Sequence, residues 1–335
     1  MLKIGLIGTG FMGNMHSLCY EALAGKVDFQ VTAVADMNEE KAGEIAKKFG
    51  AKVYSSASEL IEQGDVNVVD ICLPTFLHTE IALQAMEKGH HVFIEKPVSL
   101  TKAEAEQLLE KQRTTKTKVM VGHCIRFWPE YQELEKLVKE QTYGRVISGV
   151  FRRISPKPTW AWDQWLDDEG RSGSAALDLH IHDVDFVRHL FGEPDHIKSE
   201  VVNKHSANMH IFSLYNYGDA VISLEGGWDY PTQFPFEMTY RVKFEQAVAE
   251  FNSNAVPSLR IFEDSGKIIE VVLDSDLGEI GSESSGNISS LGGYYNELSY
   301  FLSCLSGDRE IEQATLEDGC QSLMLTLRAI AAAEE

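Results

Sequence analysis

The residues Gly8-Thr9-Gly10-Phe11-Met12-Gly13 follow directly on the apolar run Leu2 to Ile7, and they restrict what this chain can fold into more than any other segment. In a G-x-G-x-x-G turn the first glycine allows the tight turn, the second lets backbone approach a pyrophosphate, and the third lets a helix pack closely on a strand. Phosphates then sit at the positive end of that helix. Glycines also gather in ordinary loops, so the flanks decide. Leu2, Ile4, Leu6 and Ile7 make a β-prone strand, and Met12, Met15, Cys19 and Ala22 recur at helical spacing until Gly25 offers a stop. Strand, turn and helix come in the order a phosphate cradle needs.

Further on, Phe29 to Ala35 reads as a buried strand that ends in Asp36. A carboxylate about 20 residues beyond the glycines is where a ribose 2′-hydroxyl is held. Met37 and Asn38 supply no cation for a 2′-phosphate, so NAD is expected and NADP less so. The alternative is that Asp36 caps the helix that follows.

A chain of 335 residues exceeds what one core usually supports, so two domains are expected, divided at 1–122 and 123–335. With 51 acidic and 30 basic residues the formal charge is −21, which argues against nucleic acid or an anionic membrane as partner. No apolar run approaches the ~20 residues of a membrane span. Five cysteines, Cys19, Cys72, Cys124, Cys304 and Cys320, contain no C-x-x-C pair and suggest reduced thiols in a cytoplasmic protein.

From residue 1 to about 122 strands (2–7, 29–35, 51–54, 66–73, 90–95, 118–122) alternate with helices such as Glu39 to Phe49 and Thr79 to Lys88, which implies an α/β, doubly wound parallel sheet. After residue 145 the rhythm changes. One helix at about 174–191 precedes β-prone runs at 196–203, 208–216, 219–228, 236–245, 247–251, 258–264 and 267–273, joined by turns such as Tyr217-Gly218-Asp219 and Asp264-Ser265-Gly266. This predicts an α+β second domain with a large, open, mostly antiparallel sheet. Residues 274–293 read as a surface loop, and helices at 292–306 and 314–333 close the chain. A bare sheet face needs a partner, so a homodimer or homotetramer through that sheet is expected.

Two strand ends carry chemistry. Leu73, Pro74, Thr75 and His78 follow the fourth strand at the carboxyl edge, where open α/β sheets bind ligands, and are expected to contact the cofactor with the glycine turn. The fifth strand runs into Glu95-Lys96-Pro97, where proline restricts Lys96 toward extended geometry. A lysine there can stabilise a developing alkoxide or exchange a proton with it. The alternative is a surface pair between Lys96 and Glu95.

The glycine turn, Glu95-Lys96-Pro97, the P-T-x-x-x-H run at 74–78 and Asp178-Leu179-His180-Ile181-His182-Asp183-Val184-Asp185 together resemble the family of glucose-fructose oxidoreductase, inositol dehydrogenase and rhizopine catabolism proteins. The motifs cover about the first 190 residues. The resemblance implies a nicotinamide-dependent oxidoreductase acting on a secondary hydroxyl of a sugar, a cyclitol or a derivative. It puts catalytic roles on Lys96, Asp178 and His182, and contact with substrate on Asp185. If 174–191 is one helix, Asp178, His182 and Asp185 share a face and His180 points away. A histidine takes the hydroxyl proton as hydride leaves the same carbon, and a carboxylate fixes its tautomer. An ordinary acidic helix face is the plainer alternative. A metal held by His180, His182, Asp183 and Asp185 is not expected, because one helix face cannot hold both histidines. His123 to Tyr131 resembles the family's hinge segment, which makes Arg126 a candidate for orienting substrate or a partner in a structural ion pair. Trp160, Trp162 and Trp165 form either an apolar wall for a sugar or a packed loop. Two other readings stay open: a cofactor-binding sensor without turnover, and a redox-neutral enzyme that uses NAD transiently.

Overall fold

A computed structural model describes residues 1–273 and 291–333. Two compact units emerge. The first comprises Met1–Cys124, Trp160–Trp165 and Gly293–Leu323. Its elements are β1 (Leu2–Ile7), α1 (Phe11–Leu23), β2 (Phe29–Ala35), α2 (Glu39–Phe49), β3 (Lys52–Tyr54), α3 (Ala57–Gln63), β4 (Val68–Ile71), α4 (His78–Glu87), β5 (His91–Glu95), α5 (Lys102–Thr114) and β6 (Val119–Gly122). The six strands lie in the order β3-β2-β1-β4-β5-β6 and pair in parallel throughout. That order, reversing at β1/β4, is the doubly wound arrangement with its ligand crevice at the carboxyl ends. β4 and β6 are buried along their whole length, as a sheet covered on both faces requires. Local chemistry fixes the helix ends. Asn38 accepts from Lys41 N, Thr101 and Glu104 form a capping box, and Gly50 ends α2 at φ 66°.

The second unit comprises Ile125–Thr159, Leu166–Gly292 and Met324–Glu335. It holds α6 (Pro129–Glu140), β7 (Val146–Pro156), α7 (Glu169–Ser172), α8 (Ser174–Asp178), α9 (Ile181–Phe191), β8 (His196–Val202), β9 (His210–Tyr217), β10 (Ala220–Tyr230), β11 (Glu237–Phe244), β12 (Ala247–Asn252), β13 (Leu259–Glu263) and β14 (Ile268–Val271). The sheet order is β14-β13-β12-β11-β7-β10-β9-β8, antiparallel at every pair except β7 with β10. Two helices follow, α10 (Gly292–Ser306) and α11 (Leu316–Ala331). Among the described residues no helix is long and apolar enough to cross a membrane.

Three expectations change. The contiguous division at residue 122 gives way because residues 293–323 pack into the first unit. Phe301 meets Phe93 edge-on at 5.5 Å, Val121 N donates to Ala314 O at 2.8 Å, and Gly319 lies against Val121. The central strand β7 was not anticipated, since Gly149, Arg152, Arg153 and Pro156 break its alternation. The helix expected over 174–191 is two helices. The Ala175 carbonyl accepts from both Leu179 N and His180 N, which ends the first, and the second starts on the His180 carbonyl. Residues 274–290 of the expected surface loop lie outside the described residues.

In the second unit Tyr131 of α6 packs edge-on against Phe186, Tyr240 and Phe251. Beside it Arg153 of β7, 3 % exposed, donates to both Asp183 carboxylate oxygens at 3.0 and 3.2 Å and to the Tyr131 hydroxyl. On the opposite face Val150, Phe212, Leu214 and Val221 stay exposed on three neighbouring strands. His180 is fully buried, its ring packed where a Cβ on Gly226 would come within 2.7 Å, and among the described residues neither ring nitrogen has a hydrogen-bond partner.

Two stability predictions follow from these burials. Asp183→Ala strands the Arg153 guanidinium and is expected to cost about 3–5 kcal/mol in urea unfolding, against less than about 1 kcal/mol for a surface pair. Burial holds the His180 imidazole down at about 3. The unfolded chain takes up that proton near pH 6.5, so stability is lost as pH falls from there toward about 3. Between about pH 7 and pH 5 the wild type should lose about 2 kcal/mol more than His180→Leu. Equal losses in the two proteins would contradict the buried neutral ring.

Candidate functional site

At the glycine turn the backbone itself makes the cradle. Gly8 sits at φ 92°, and a Cβ there would meet the Cys72 carbonyl oxygen at 2.5 Å. A Cβ on Gly13 would lie 1.8 Å from the Gly8 carbonyl oxygen, so α1 can rest on β1 only without a side chain there. At Gly10 a Cβ would meet nothing within 4 Å, so this backbone faces open space. Helix α1 starts at Gly10 with no side-chain cap and no acidic residue in its first turn, which leaves its amide dipoles to an incoming anion. These features fit a dinucleotide pyrophosphate.

Asp36 closes the turn from the next strand. Its Oδ2 accepts from Thr9 N at 2.7 Å and Thr9 Oγ1 at 2.8 Å, and its Oδ1 accepts from Asn38 N at 2.7 Å. Asn38, not Asp36, caps α2. The Asp36 carboxylate is thus held by its own loop and the glycine turn, with lone pairs left for a ribose hydroxyl. Phe11 and Met12 are half-buried, and Phe11 stacks on Trp160 at 4.7 Å and 26°. This places Trp160 against the turn, where no sequence pattern had put it.

At the ends of β4 and β5, Leu73 and Pro74 are half-exposed but Thr75 and His78 are buried. The His78 ring spans two carbonyl oxygens, Nδ1 to Pro97 and Nε2 to Leu73, each at 2.8 Å. Burial pulls its pKa down. His78 is thus engaged between the two strand ends, its ring set between the Leu73 and Pro97 carbonyls. Glu95 also turns inward. At 4 % exposure its Oε1 meets His16 Nε2 at 3.0 Å, its Oε2 accepts from Lys96 N at 3.2 Å, and a Cβ on Gly122 would come within 2.9 Å. A surface pair with Lys96 is excluded by that burial. Lys96 stands half-buried at the strand end.

Behind Glu95 lie groups that the motifs did not signal. His16 Nδ1 meets Asp70 Oδ2 at 2.9 Å, the Tyr20 hydroxyl donates to the same oxygen at 2.7 Å, and Cys72 Sγ lies 3.2 Å from His16 Nδ1. One hint was available: Asp70 is the only polar residue in the buried run Val68–Ile71.

In the second unit Asp178 is half-exposed at the end of α8, and His182, 8 % exposed, lies in the first turn of α9. The two are separated by the break at Leu179 and His180, so they do not share a continuous helix face. Arg126 and Asp185 form a bidentate pair, Nε to Oδ2 at 2.7 Å and NH2 to Oδ1 at 2.6 Å, at 1 % and 0 % exposure. Both side chains expected at the substrate are thus engaged with each other in a buried ion pair. Trp162 is 56 % exposed and Trp165 half-buried, so residues 160–165 are not a packed loop core.

Comparison with known proteins agrees with this geometry. A family model described as an oxidoreductase family, NAD-binding Rossmann fold, matches residues 2–123, and the GFO/IDH/MocA C-terminal domain matches 131–250. Levoglucosan dehydrogenase of Pseudarthrobacter phenanthrenivorans is 34% identical over 205 residues, 57% of this chain and 52% of that protein. Myo-inositol 2-dehydrogenase of Thermotoga maritima is 32% identical over 195 residues, 57% of this chain and 55% of that protein. The matched stretch thus spans about half the length of these relatives. Among solved structures, a levoglucosan dehydrogenase in complex with NADH and levoglucosan superposes with a TM-score of 0.84 at 22% identity, covering 99% of this chain and 97% of that one, which establishes the shared fold. Both halves of one family are matched in order along the sequence, and the chain belongs to the GFO/IDH/MocA oxidoreductase family.

Proposed function

We propose that this protein is an NAD-dependent dehydrogenase that oxidises a secondary hydroxyl of a sugar, a cyclitol or a derivative of one. The observation that carries the reading is Lys96 at the carboxyl end of β5, in the same sheet edge as an uncapped glycine turn. Gly8 to Gly13 hold the pyrophosphate and Asp36 the adenosine ribose, with Leu73 and Pro74 beside the cofactor. The bound nicotinamide supplies the hydride acceptor. His182 takes the hydroxyl proton, Asp178 orients its ring, and Lys96 stabilises the oxygen as negative charge develops there. Relatives that dehydrogenate levoglucosan and myo-inositol support a polyol substrate. The open face of the second sheet, with Val150, Phe212, Leu214 and Val221 exposed, is covered by a second copy in a homodimer or homotetramer. The protein works in the cytoplasm, in keeping with five cysteines that form no disulfide among the described residues.

A panel of sugars and cyclitols assayed for net NADH formation tests the activity and separates it from a sensor or a redox-neutral enzyme. Lys96→Ala and His182→Ala should each lower kcat by about 100-fold or more while leaving NADH affinity within about twofold. Near wild-type turnover in both variants would remove the assignment. Asp36→Ala should weaken NADH binding by about tenfold or more through loss of a charged acceptor, and NADPH should bind the wild type more weakly than NADH. Light scattering should give a dimer or tetramer, and Leu214→Lys should shift it toward monomer.

A further inference from the structure

Next to Lys96 lies a cluster of buried ionisable groups that the proposed reaction does not use. His16, Asp70 and Glu297 are each 0 % exposed and Glu95 is 4 % exposed. A ring nitrogen of His16 and one carboxyl oxygen each from Glu95 and Glu297 all lie within 4.8 Å of one another. Glu297 enters from α10, more than 200 residues from its neighbours in sequence, and among the described residues neither of its oxygens has a hydrogen-bond partner.

We propose that His16 is a positioning residue for Lys96: held as an imidazolium between Asp70 and Glu95, it pins the Glu95 carboxylate across the Lys96 backbone N–H, while Glu297 stays the neutral acid. The proposal rests on the role given to Lys96 above.

The geometry argues for this charge arrangement. His16 faces a carboxylate at each ring nitrogen, Asp70 at 2.9 Å and Glu95 at 3.0 Å, and only the imidazolium can donate to both. One cation then stands against two anions, Asp70 and Glu95. A third buried anion, with no donor reaching it, would be uncompensated. Burial opposes charge on His16, but the Asp70 charge and hydrogen bond outweigh it and raise the pKa. Burial and the neighbouring Glu95 push the Glu297 carboxyl well up. The groups facing this pair are Cys19 and Tyr20 on α1, Asp70 on β4, Cys72 just after it, Glu95 on β5 and Tyr294 on α10. Glu95 is confined in its turn, with Gly122 leaving the slot for its carboxylate and Lys96 N donating to Oε2. His16, Glu95 and Glu297 also have the composition of a metal site, but a cation would need the His16 lone pair that the proton to Glu95 occupies.

The test uses the full chain. Nitrogen-15 spectra of the wild type at about pH 8 should show both His16 ring nitrogens protonated, well past the usual histidine range. Infrared difference spectra should show a carboxylic acid band that Glu297→Gln removes. His16→Asn should move the Lys96 backbone amide resonance and lower kcat by about tenfold or more, with NADH affinity and KM within about twofold. A neutral His16 ring, a Glu297 carboxylate, an unmoved Lys96 amide, or a stoichiometric metal ion in the purified protein would each overturn the proposal. The spectra need no substrate, so they decide it even if the polyol panel fails.

Discussion

Everything at the nucleotide end depends on how closely the start of α1 approaches the end of β1. The Gly13 Cα lies so near the Gly8 carbonyl that a single methyl group would collide with it. Because that contact is made by backbone alone, the first amides of α1 stand directly over the carboxyl edge of the sheet. Asp36, the β4 end and the β5 end are then brought beside the same turn by the parallel strand order alone. Side chains tune this edge, but bare backbone creates it.

A second theme is how an acidic chain buries charge. Three carboxylates, Asp70, Asp183 and Asp185, have no exposed surface, and each faces a specific cationic or ionisable partner: His16, Arg153 and Arg126. Such pairs add little net stability, since desolvation offsets most of the attraction, yet they are costly to leave half-made. They therefore act as registration devices. Arg126–Asp185 ties the turn after β6 to α9, and Arg153–Asp183 ties α9 to the middle of the sheet. Asp185, placed in a motif beside reacting groups, is itself part of one of these pairs.

Much of the first unit was legible because its signals are local. Glycines that need unusual backbone and continuous apolar strands each declare themselves within a few residues. What was missed is non-local. β7 hides because Arg153 points inward to a partner 30 residues away, and alternation cannot anticipate a buried arginine. The single helix expected over 174–191 looked right by composition, but the shared Ala175 carbonyl that splits it is a matter of backbone packing. Within the site, the glycine turn, Asp36 and the strand end at Lys96 were readable. The inward turns of His78 and Glu95 were not, since sequence shows that a polar residue is present and not which way it faces.

The return of residues 293–323 to the first unit bears on how the chain is made. Phe301, Glu297 and the Ala314 carbonyl complete the packing around β5 and β6, yet they leave the ribosome after the entire eight-stranded sheet. Domains usually fold in order of synthesis. Here the strands of the first unit are made before the eight-stranded sheet and completed only after it, so in between the β5–β6 edge and the buried side of His16 and Glu95 await a helix still to be synthesised. A nascent chain that has not yet reached residue 323 carries that edge unfinished.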